Sequence, residues 1–257
     1  MGSAAVATGG RSMAPREHGA YAQLGVPLFA VLLAAVPSIA TLALMVAAAA
    51  GFSAHEPLLV LLGQRGSRAH REERARARSR LVSVLGLALM AALVCVALDT
   101  ASRVWLLVPG GLAAVALAFT VRQRERTLAG ELAAAFALTS VALPCAVASG
   151  LSPRQGLAIC GAFVITSVVS TVEVRAVVRR GRGLGARIVG WPVALSGFLL
   201  LYTHAPLVAF ATTPVLLVLL AVAVLRPVPA QLRRVGWALA ASSVVMAIAV
   251  ALATRAS

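Results

Sequence analysis

The sequence predicts an all-α membrane protein, and its composition, its apolar runs and the placement of its arginines support this fold class. Of the 257 residues, 60% are hydrophobic and only 12% are charged, which is about half the charged fraction of a soluble domain. The apolar runs are rich in Ala, Leu and Val and lack the two-residue alternation of membrane β-strands. Because only helices and closed barrels satisfy their backbone groups in lipid, we expect helices.

Apolar runs long enough to cross a bilayer, about 17–25 residues, occur about nine times along the chain. They follow residues 1–15, which are rich in Gly, Ala and Ser and are predicted to form a disordered tail. Residues 16–257 are predicted to form one polytopic transmembrane domain. The predicted spans are residues 20–36, 38–62, 81–98, 104–121, 128–149, 156–178, 188–202, 206–225 and 235–254.

The arginines predict how these spans are oriented. All 23 basic residues are arginine, a bias that, with abundant Ala, Gly and Val, is typical of a high-GC bacterial genome. When the spans alternate across the membrane, only Arg103, Arg154 and Arg255 fall on one side, and the other 20 fall on the opposite side. The positive-inside rule therefore predicts a bacterial inner-membrane protein with a cytoplasmic N-terminus. Nucleic-acid binding is not expected, because no loop is long enough to form a basic domain.

The most basic loop, residues 64–80, reads QRGSRAHREERARARSR. As a helix it would place Glu72 four residues before Arg76, a favourable spacing for an ion pair. Two interpretations stay open. The loop is either a solvated amphipathic connector that also touches anionic lipid, or an anion-binding lid over a cytoplasmic cavity.

Ionisable residues inside or beside the spans are candidates for function, because they are costly in lipid. All of them lie at the predicted cytoplasmic ends. They are Glu17, His18, His55, Glu56, Glu131, Glu173 and Arg175. Glu17 and Glu131 stand near helix N-termini, where the helix dipole stabilises an acid and offers a structural explanation.

Glu56 and Glu173 are predicted to stand near helix C-termini, where the helix dipole disfavours an acid. Arginines follow both of them, Arg65 after Glu56, and Arg179 and Arg180 after Glu173. A structural ion pair and a functional site are both open at each position. Because the two acids lie four spans apart, they also resemble matched positions of an internal repeat around a central site.

The segment PREHGAYAQLGVP resembles the start of the YwiC-like family, a family of bacterial membrane proteins. That family begins with a Pro-x-x-His-Gly-Ala-aromatic pattern, which Pro15, His18, Gly19, Ala20 and Tyr21 fill here. The layout of the remaining chain resembles that of UbiA-type intramembrane prenyltransferases, which have nine helices and two aspartate-rich cytoplasmic motifs. GELAAAFALTSVALPCAVASG is similar to the fifth-helix region of that superfamily, and EVRAVVRRGRGLGARIVGWP is similar to its second motif region.

The second resemblance implies a UbiA-like bundle with a cytoplasmic-side cavity for Mg²⁺ and an isoprenoid or lipid diphosphate. The Asn-Asp-x-x-Asp and Asp-x-x-x-Asp motifs that hold Mg²⁺ in those enzymes do not occur in this sequence. The implied catalytic residues are Glu56, Glu131 and Glu173, of which Glu56 and Glu173 would bind the metal. The implied substrate-binding residues are His18, His55, Arg65, Arg122, Arg175, Arg179 and Arg180. Of these, the arginines could pair with the diphosphate directly.

Two classes of function are therefore open. The first is a UbiA-like transferase that acts on an isoprenoid or lipid diphosphate. The second is a non-catalytic membrane protein that binds a lipid or another ligand, transports it or assists a partner. Proton-coupled transport is disfavoured, because ionisable groups are almost absent from the middle of the spans.

Overall fold

The computed structural model describes residues 18–178 and 184–256, and within these ranges the chain is helical, with no strand. The predicted tail, residues 1–15, lies outside the described residues. Two short 3₁₀ turns, Val104–Leu106 and Pro229–Gln231, lead into the fifth and the last α-helix. The α-helices are α1 (His18–Ala34), α2 (Ile39–Ser53), α3 (His55–Leu61), α4 (Ser67–Leu98), α5 (Leu107–Val121), α6 (Leu128–Ser140), α7 (Ala142–Ala148), α8 (Pro153–Val178), α9 (Leu184–His204), α10 (Pro206–Ala211), α11 (Thr213–Leu225) and α12 (Leu232–Ala256).

The helices lie where the spans are predicted, and this confirms an all-α protein with several membrane-spanning helices. Two shorter apolar helices, Gly19–Ala34 and Thr213–Leu225, accompany the longer ones. Six helical segments of the described chain are long and apolar enough to cross a membrane: Ile39–Leu61, Ser67–Leu98, Val104–Val121, Leu128–Ala148, Pro153–Val178 and Pro229–Ala256. The structure therefore supports a multi-pass protein in contact with lipid, while the count of nine spans stays a prediction.

Three of the predicted spans are interrupted, and a proline follows each interruption. Proline has no N–H to donate to the carbonyl four residues earlier, and its ring collides with that carbonyl. The interruptions are at Ala54, Val141 and Thr212, and the prolines are Pro57, Pro144 and Pro214. The first interruption matters most for the site, because it separates the short helix α3 from α2.

Helix α8 lies at the centre of the bundle, and α4 and α5 lie at its edge. The neighbours that pack on α8 include α1, α6, α7, α9, α11 and α12. Its buried face carries Ala162, Val169 and Phe163, and such small or branched residues allow helices to approach closely in lipid. By contrast, α4 packs mainly on α2 and α3, α5 packs mainly on α6, and most of their apolar side chains face outward.

Hydrogen bonds from loop residues to the last turns of helices mark the two ends of the bundle. At one end the Ser38 hydroxyl donates to the carbonyl of Ala148, over 2.7 Å. At the other end the Gln64 side-chain amide donates to the carbonyl of Thr120, also over 2.7 Å. This second end holds the arginine-rich start of α4 and the arginine-rich turn after α5, and we call it the arginine-rich end.

Candidate functional site at the arginine-rich end

The first group of charges at the arginine-rich end lies around α3. Glu56 was predicted near a helix C-terminus, but this was wrong, because the break at Ala54 places it in the first turn of α3. Its side chain is only 4% exposed. Arg65 pairs with it in a bidentate manner, with Nε 2.9 Å from Oε1 and Nη2 2.5 Å from Oε2. Beside this pair, Nε2 of His55 lies 3.4 Å from Oε2 of Glu125, which follows α5. These four residues form the α3 charge cluster, which connects α3 to the turn between α5 and α6.

The second group surrounds Glu173 on the central helix α8. This carboxylate is fully buried, and both of its oxygens accept hydrogen bonds from α9. Nη2 of Arg187 lies 2.6 Å from Oε2, and Nε1 of Trp191 lies 3.0 Å from Oε1. The two helices approach closely here, since a Cβ atom added to Gly190 would lie 2.8 Å from Cγ2 of Val172. The absence of a side chain at Gly190 therefore helps to bring Arg187 and Trp191 onto Glu173.

Two residues after Glu173, Arg175 points to a different neighbour of α8. Its Nη1 lies 2.6 Å from Oε1 of Glu131 on α6 and 3.1 Å from the carbonyl oxygen of Arg126. Glu173 faces α9, whereas Arg175 faces α6 and the preceding turn. The carboxylates of Glu131 and Glu173 are thus bound on two different sides of α8.

The third feature is the turn between α5 and α6, residues 122–126, with the sequence RQRER. We call it the arginine turn. The N–H of Arg124 donates to the carbonyl of Phe119 over 2.8 Å, and the Thr127 hydroxyl donates to the carbonyl of Arg124 over 2.7 Å. The turn closes tightly on α6, because a Cβ atom added to Gly130 would lie 2.5 Å from the carbonyl oxygen of Arg124. The backbone of the arginine turn is therefore fixed by local hydrogen bonds.

The arginine turn is also held from outside, by His55 on one side and Arg175 on the other. Its three arginines, Arg122, Arg124 and Arg126, have exposed side chains. Within the described part of the chain, none of these three guanidinium groups has a hydrogen bond or an ion pair. The arginine turn thus presents three unpaired cations on a fixed backbone.

The structure brings together some of the residues predicted from sequence and not others. Glu56 contacts Arg65, as the interpretation of a structural ion pair predicts, and Glu131 contacts Arg175. Arg122 is exposed on the arginine turn. Arg179 and Arg180 lie outside the described residues, as does the side chain of His18.

Sequence reasoning missed three residues of these clusters, namely Glu125, Arg187 and Trp191. Arg187 and Trp191 are four residues apart and so share one face of a helix, a signal that could have paired them with a buried acid on the preceding helix. Glu125 lies among arginines in RQRER, where an acid looks like an ordinary solvated loop residue.

The arrangement was also predicted to enclose a cavity lined by Glu56, Glu131 and Glu173. These residues lie on three helices, and α3 packs mainly on α4, whereas α8 packs on α6 and α9. An open depression of about 370 Å³ lies at the arginine-rich end, lined by Leu61, Leu62, Gly63, Ser67, His70 and Arg71. Its lining therefore comes from the α3–α4 turn, and a cavity shared by the three glutamates stays a prediction.

The carboxylates do not fit Mg²⁺ as they are arranged. Mg²⁺ needs octahedral oxygen ligands, usually one or two carboxylates together with phosphate and water. The oxygens of Glu56 and Glu173 already accept hydrogen bonds from arginine or tryptophan. Among the residues that the structure describes, no three His, Cys, Asp or Glu side chains gather where they could hold a metal ion. A role for Mg²⁺ therefore stays a prediction that the described geometry does not support.

Comparison with known proteins places the chain in a family. Neither the curated proteins nor the solved structures that were compared contain a match, and the UbiA-like layout has no support from these comparisons. The matched part, residues 14–147, includes the α3 charge cluster and the arginine turn, and it covers just over half of the chain. Over these residues the sequence matches the family described as "YwiC-like protein", and the chain belongs to that family.

Proposed function

We propose that this YwiC-like protein binds the phosphate or diphosphate group of an isoprenoid or another lipid at its arginine-rich end, without transferring it. The observation that carries the proposal is a contrast between acids and bases. The buried acids Glu56 and Glu173 are already neutralised by arginines, whereas the three guanidinium groups of the arginine turn have no partner in the described chain. The side chains at this end that are free to bind a ligand are therefore cationic.

Arginine suits such a ligand because its planar guanidinium group can donate two parallel hydrogen bonds to a phosphate. The arginine turn stands at a suitable depth for a lipid headgroup. It directly follows α5, whose Leu117 and Val121 are about half exposed and would contact the apolar chain of the lipid. A lipid lying along α5 would thus bring its phosphates to Arg122, Arg124 and Arg126.

The proposal places the protein in the bacterial inner membrane, with the arginine-rich end in the cytoplasm. The positive-inside rule is the support for this orientation. Reporter fusions after Arg126 should read as cytoplasmic, and a fusion after Arg154 should read as external. An external signal at Arg126 would overturn the orientation.

A transferase of UbiA type is the competing function, and the paired state of Glu56 and Glu173 weighs against it. Such an enzyme needs carboxylates that are open to Mg²⁺. Binding of the diphosphate is therefore expected to persist when divalent ions are chelated, and no transfer product is expected.

The test compares farnesyl diphosphate with farnesol, which has the same chain but no diphosphate, using the purified protein in nanodiscs. Replacing Arg122, Arg124 and Arg126 together by glutamine should weaken the binding of farnesyl diphosphate by about tenfold or more, since each lost charge-assisted hydrogen bond contributes about 1.5–3 kcal/mol. The matched control replaces three other exposed arginines near the arginine-rich end, Arg226, Arg233 and Arg234, which removes the same charge.

Equal binding of farnesyl diphosphate and farnesol would contradict recognition of the diphosphate. An equal loss in both triple variants would show that net charge alone attracts the ligand, and would contradict a site at the arginine turn. A transfer product that forms only with Mg²⁺ would replace the proposal with the transferase function.

A further inference from the structure

Helix α4 is longer than the bilayer core that it crosses. Its 32 residues span about 48 Å at 1.5 Å per residue, compared with about 30 Å of hydrocarbon. Its apolar part begins at Leu81, so the preceding residues, 67–80, extend beyond the hydrocarbon at the arginine-rich end. The last turns of this polar extension must therefore pass through the layer of lipid headgroups.

One narrow stripe of α4 faces the protein. Ala69, Ala77, Ala91 and Cys95 are its buried residues, and Ala77 packs against Val60 of α3. At about 100° per residue, the arginines of the extension fall on two flanks of this stripe, except Arg80, which lies on the stripe and is partly buried. The two flanks differ in net charge.

The first flank of α4 carries Arg71, Arg74 and Arg78, which follow the helical spacing of three and four residues. No acid lies on this flank. Within the described chain none of these three side chains has a hydrogen bond or an ion pair, and all three are exposed. Along the helix axis the same flank continues into Leu85 and Leu89, which are 49% and 60% exposed.

The opposite flank has its charges partly balanced. It carries Glu72 together with Arg68 and Arg76, and Glu72 pairs with Arg68 over 2.9 Å. Glu73, four residues before Ala77, lies partly buried on the stripe itself. Within the described chain Arg76 is also unpaired, but the first flank has three uncompensated guanidinium groups above an exposed apolar surface and no acid.

We propose that the flank formed by Arg74 and Arg78 binds the phosphate of an anionic glycerophospholipid whose acyl chains lie against Leu85 and Leu89. Arg78 lies three residues before Leu81, about 4.5 Å above the hydrocarbon along the helix, within a headgroup layer about 5–8 Å thick. Arg74 stands one turn higher, and its long side chain reaches the same phosphate. This lipid belongs to the surrounding bilayer, and its site is separate from the arginine turn and independent of the proposed function.

The experiment measures how much phosphatidylglycerol the purified protein retains from nanodiscs of mixed phosphatidylglycerol and phosphatidylcholine, by native mass spectrometry. The variant Arg74→Gln with Arg78→Gln should retain about a hundredfold less phosphatidylglycerol, since each of the two arginines loses charge-assisted hydrogen bonds to the phosphate that contribute about 1.5–3 kcal/mol. The control variant, Arg76→Gln with Arg233→Gln, removes the same charge from other exposed positions. It should stay within about tenfold of the unmodified protein, because it weakens only the diffuse attraction of at most about 1 kcal/mol per arginine, which salt screens.

An equal loss in the two variants would overturn the proposal, because a diffuse attraction to basic residues does not distinguish between the flanks. Unchanged retention in both variants would overturn it as well. A variant with Arg74→Lys and Arg78→Lys keeps the charge and the helix, so it decides the question if the glutamine variant does not fold. The lysine variant should lose retention, because lysine cannot pair with phosphate in a bidentate manner, and full retention would contradict the site. Farnesyl diphosphate should not displace phosphatidylglycerol, whereas displacement would show that the two lipids share one site.

Discussion

Glu56 and Glu173 hold similar places in the sequence, near the end of an apolar segment and before a basic stretch, but the structure pairs them differently. Glu56 pairs with Arg65, nine residues later, across the α3–α4 turn at the edge of the bundle. Glu173 is fully buried on the central helix and is bound by Arg187 and Trp191, which belong to the next long helix. The first pair closes a local turn, and the second joins two helices.

This difference shows that an acid at a helix end is not by itself a sign of a repeated functional site. The side chain of Arg65 is 24% exposed, so it can reach water if Glu56 is lost. Arg187 is only 15% exposed, and its Nε is buried without a hydrogen-bond partner in the described chain. Loss of the acid should therefore cost more at Glu173 than at Glu56.

The largest effect is expected for Glu173→Gln. The substitution keeps the shape of the side chain but leaves Arg187 buried without a counter-charge. Breaking a buried pair in this way costs about 3–5 kcal/mol, and the partial exposure of Arg187 favours the lower value. Unfolding by sodium dodecyl sulfate in mixed micelles would measure this loss of stability.

The control for Glu173→Gln is the double variant that also carries Arg187→Gln. It removes both charges, so a substantial part of the lost stability should return. Normal stability of Glu173→Gln, combined with a changed response to farnesyl diphosphate or Mg²⁺, would instead assign Glu173 to a ligand site.

The second effect concerns how closely α8 and α9 pack beside Glu173. Gly190→Ala would place a methyl group 2.8 Å from Cγ2 of Val172, and such overpacking costs about 1–3 kcal/mol. Gly236→Ala is the matched control, since no heavy atom lies within 4 Å of its added Cβ. If both variants unfold at the same detergent concentration, close packing is not what brings Arg187 to Glu173.

The sequence predicted the helices and the two ends of the bundle well, because both depend on local composition. Apolar length determines where a helix can cross lipid, and each predicted span overlaps a helical segment of the structure, although several helices extend beyond it and α4 begins at Ser67 rather than at Leu81. The division of the arginines also placed Gln64 and Thr120 at the same end, where they form a hydrogen bond. The break between α2 and α3, which precedes Pro57, was not predicted, although proline chemistry explains it.

The pairing of the charges could not be predicted in the same way, because it depends on tertiary packing. Sequence reasoning considered Arg179 and Arg180 as partners of Glu173, since they follow it within two helical turns. Arg187 holds that position because α9 returns alongside α8 and presents one face to it. The local pair of Glu56 with Arg65 was within reach of sequence reasoning, because a turn of only a few residues joins α3 to α4.

A smaller effect is expected for Glu56→Gln. The substitution removes two charge-assisted hydrogen bonds from Arg65, but the side chain of Arg65 can turn toward water. The expected loss is about 1.5 kcal/mol, the lower value for hydrogen bonds to charged groups. Detergent unfolding measures this loss beside that of Glu173→Gln. A loss at Glu56 equal to or greater than that at Glu173 would contradict the distinction between a local and a central pair.

The smallest effect is expected for the exposed pair of Arg68 with Glu72 on the polar extension of α4. Their side chains are 84% and 59% exposed, and they are four residues apart on one helix. Such pairs contribute about 0.3–0.5 kcal/mol, so Glu72→Gln should change detergent unfolding only slightly. The remaining effect should vanish in about 1 M salt, where the screening length falls to about 3 Å. The effect of Glu173→Gln should persist in the same salt, because buried charges are screened much less. If high salt also removed the effect of Glu173→Gln, solvent ions would have to reach Glu173 and Arg187. The central pair would then be screened in the same way as the surface pair, and the distinction between them would be wrong.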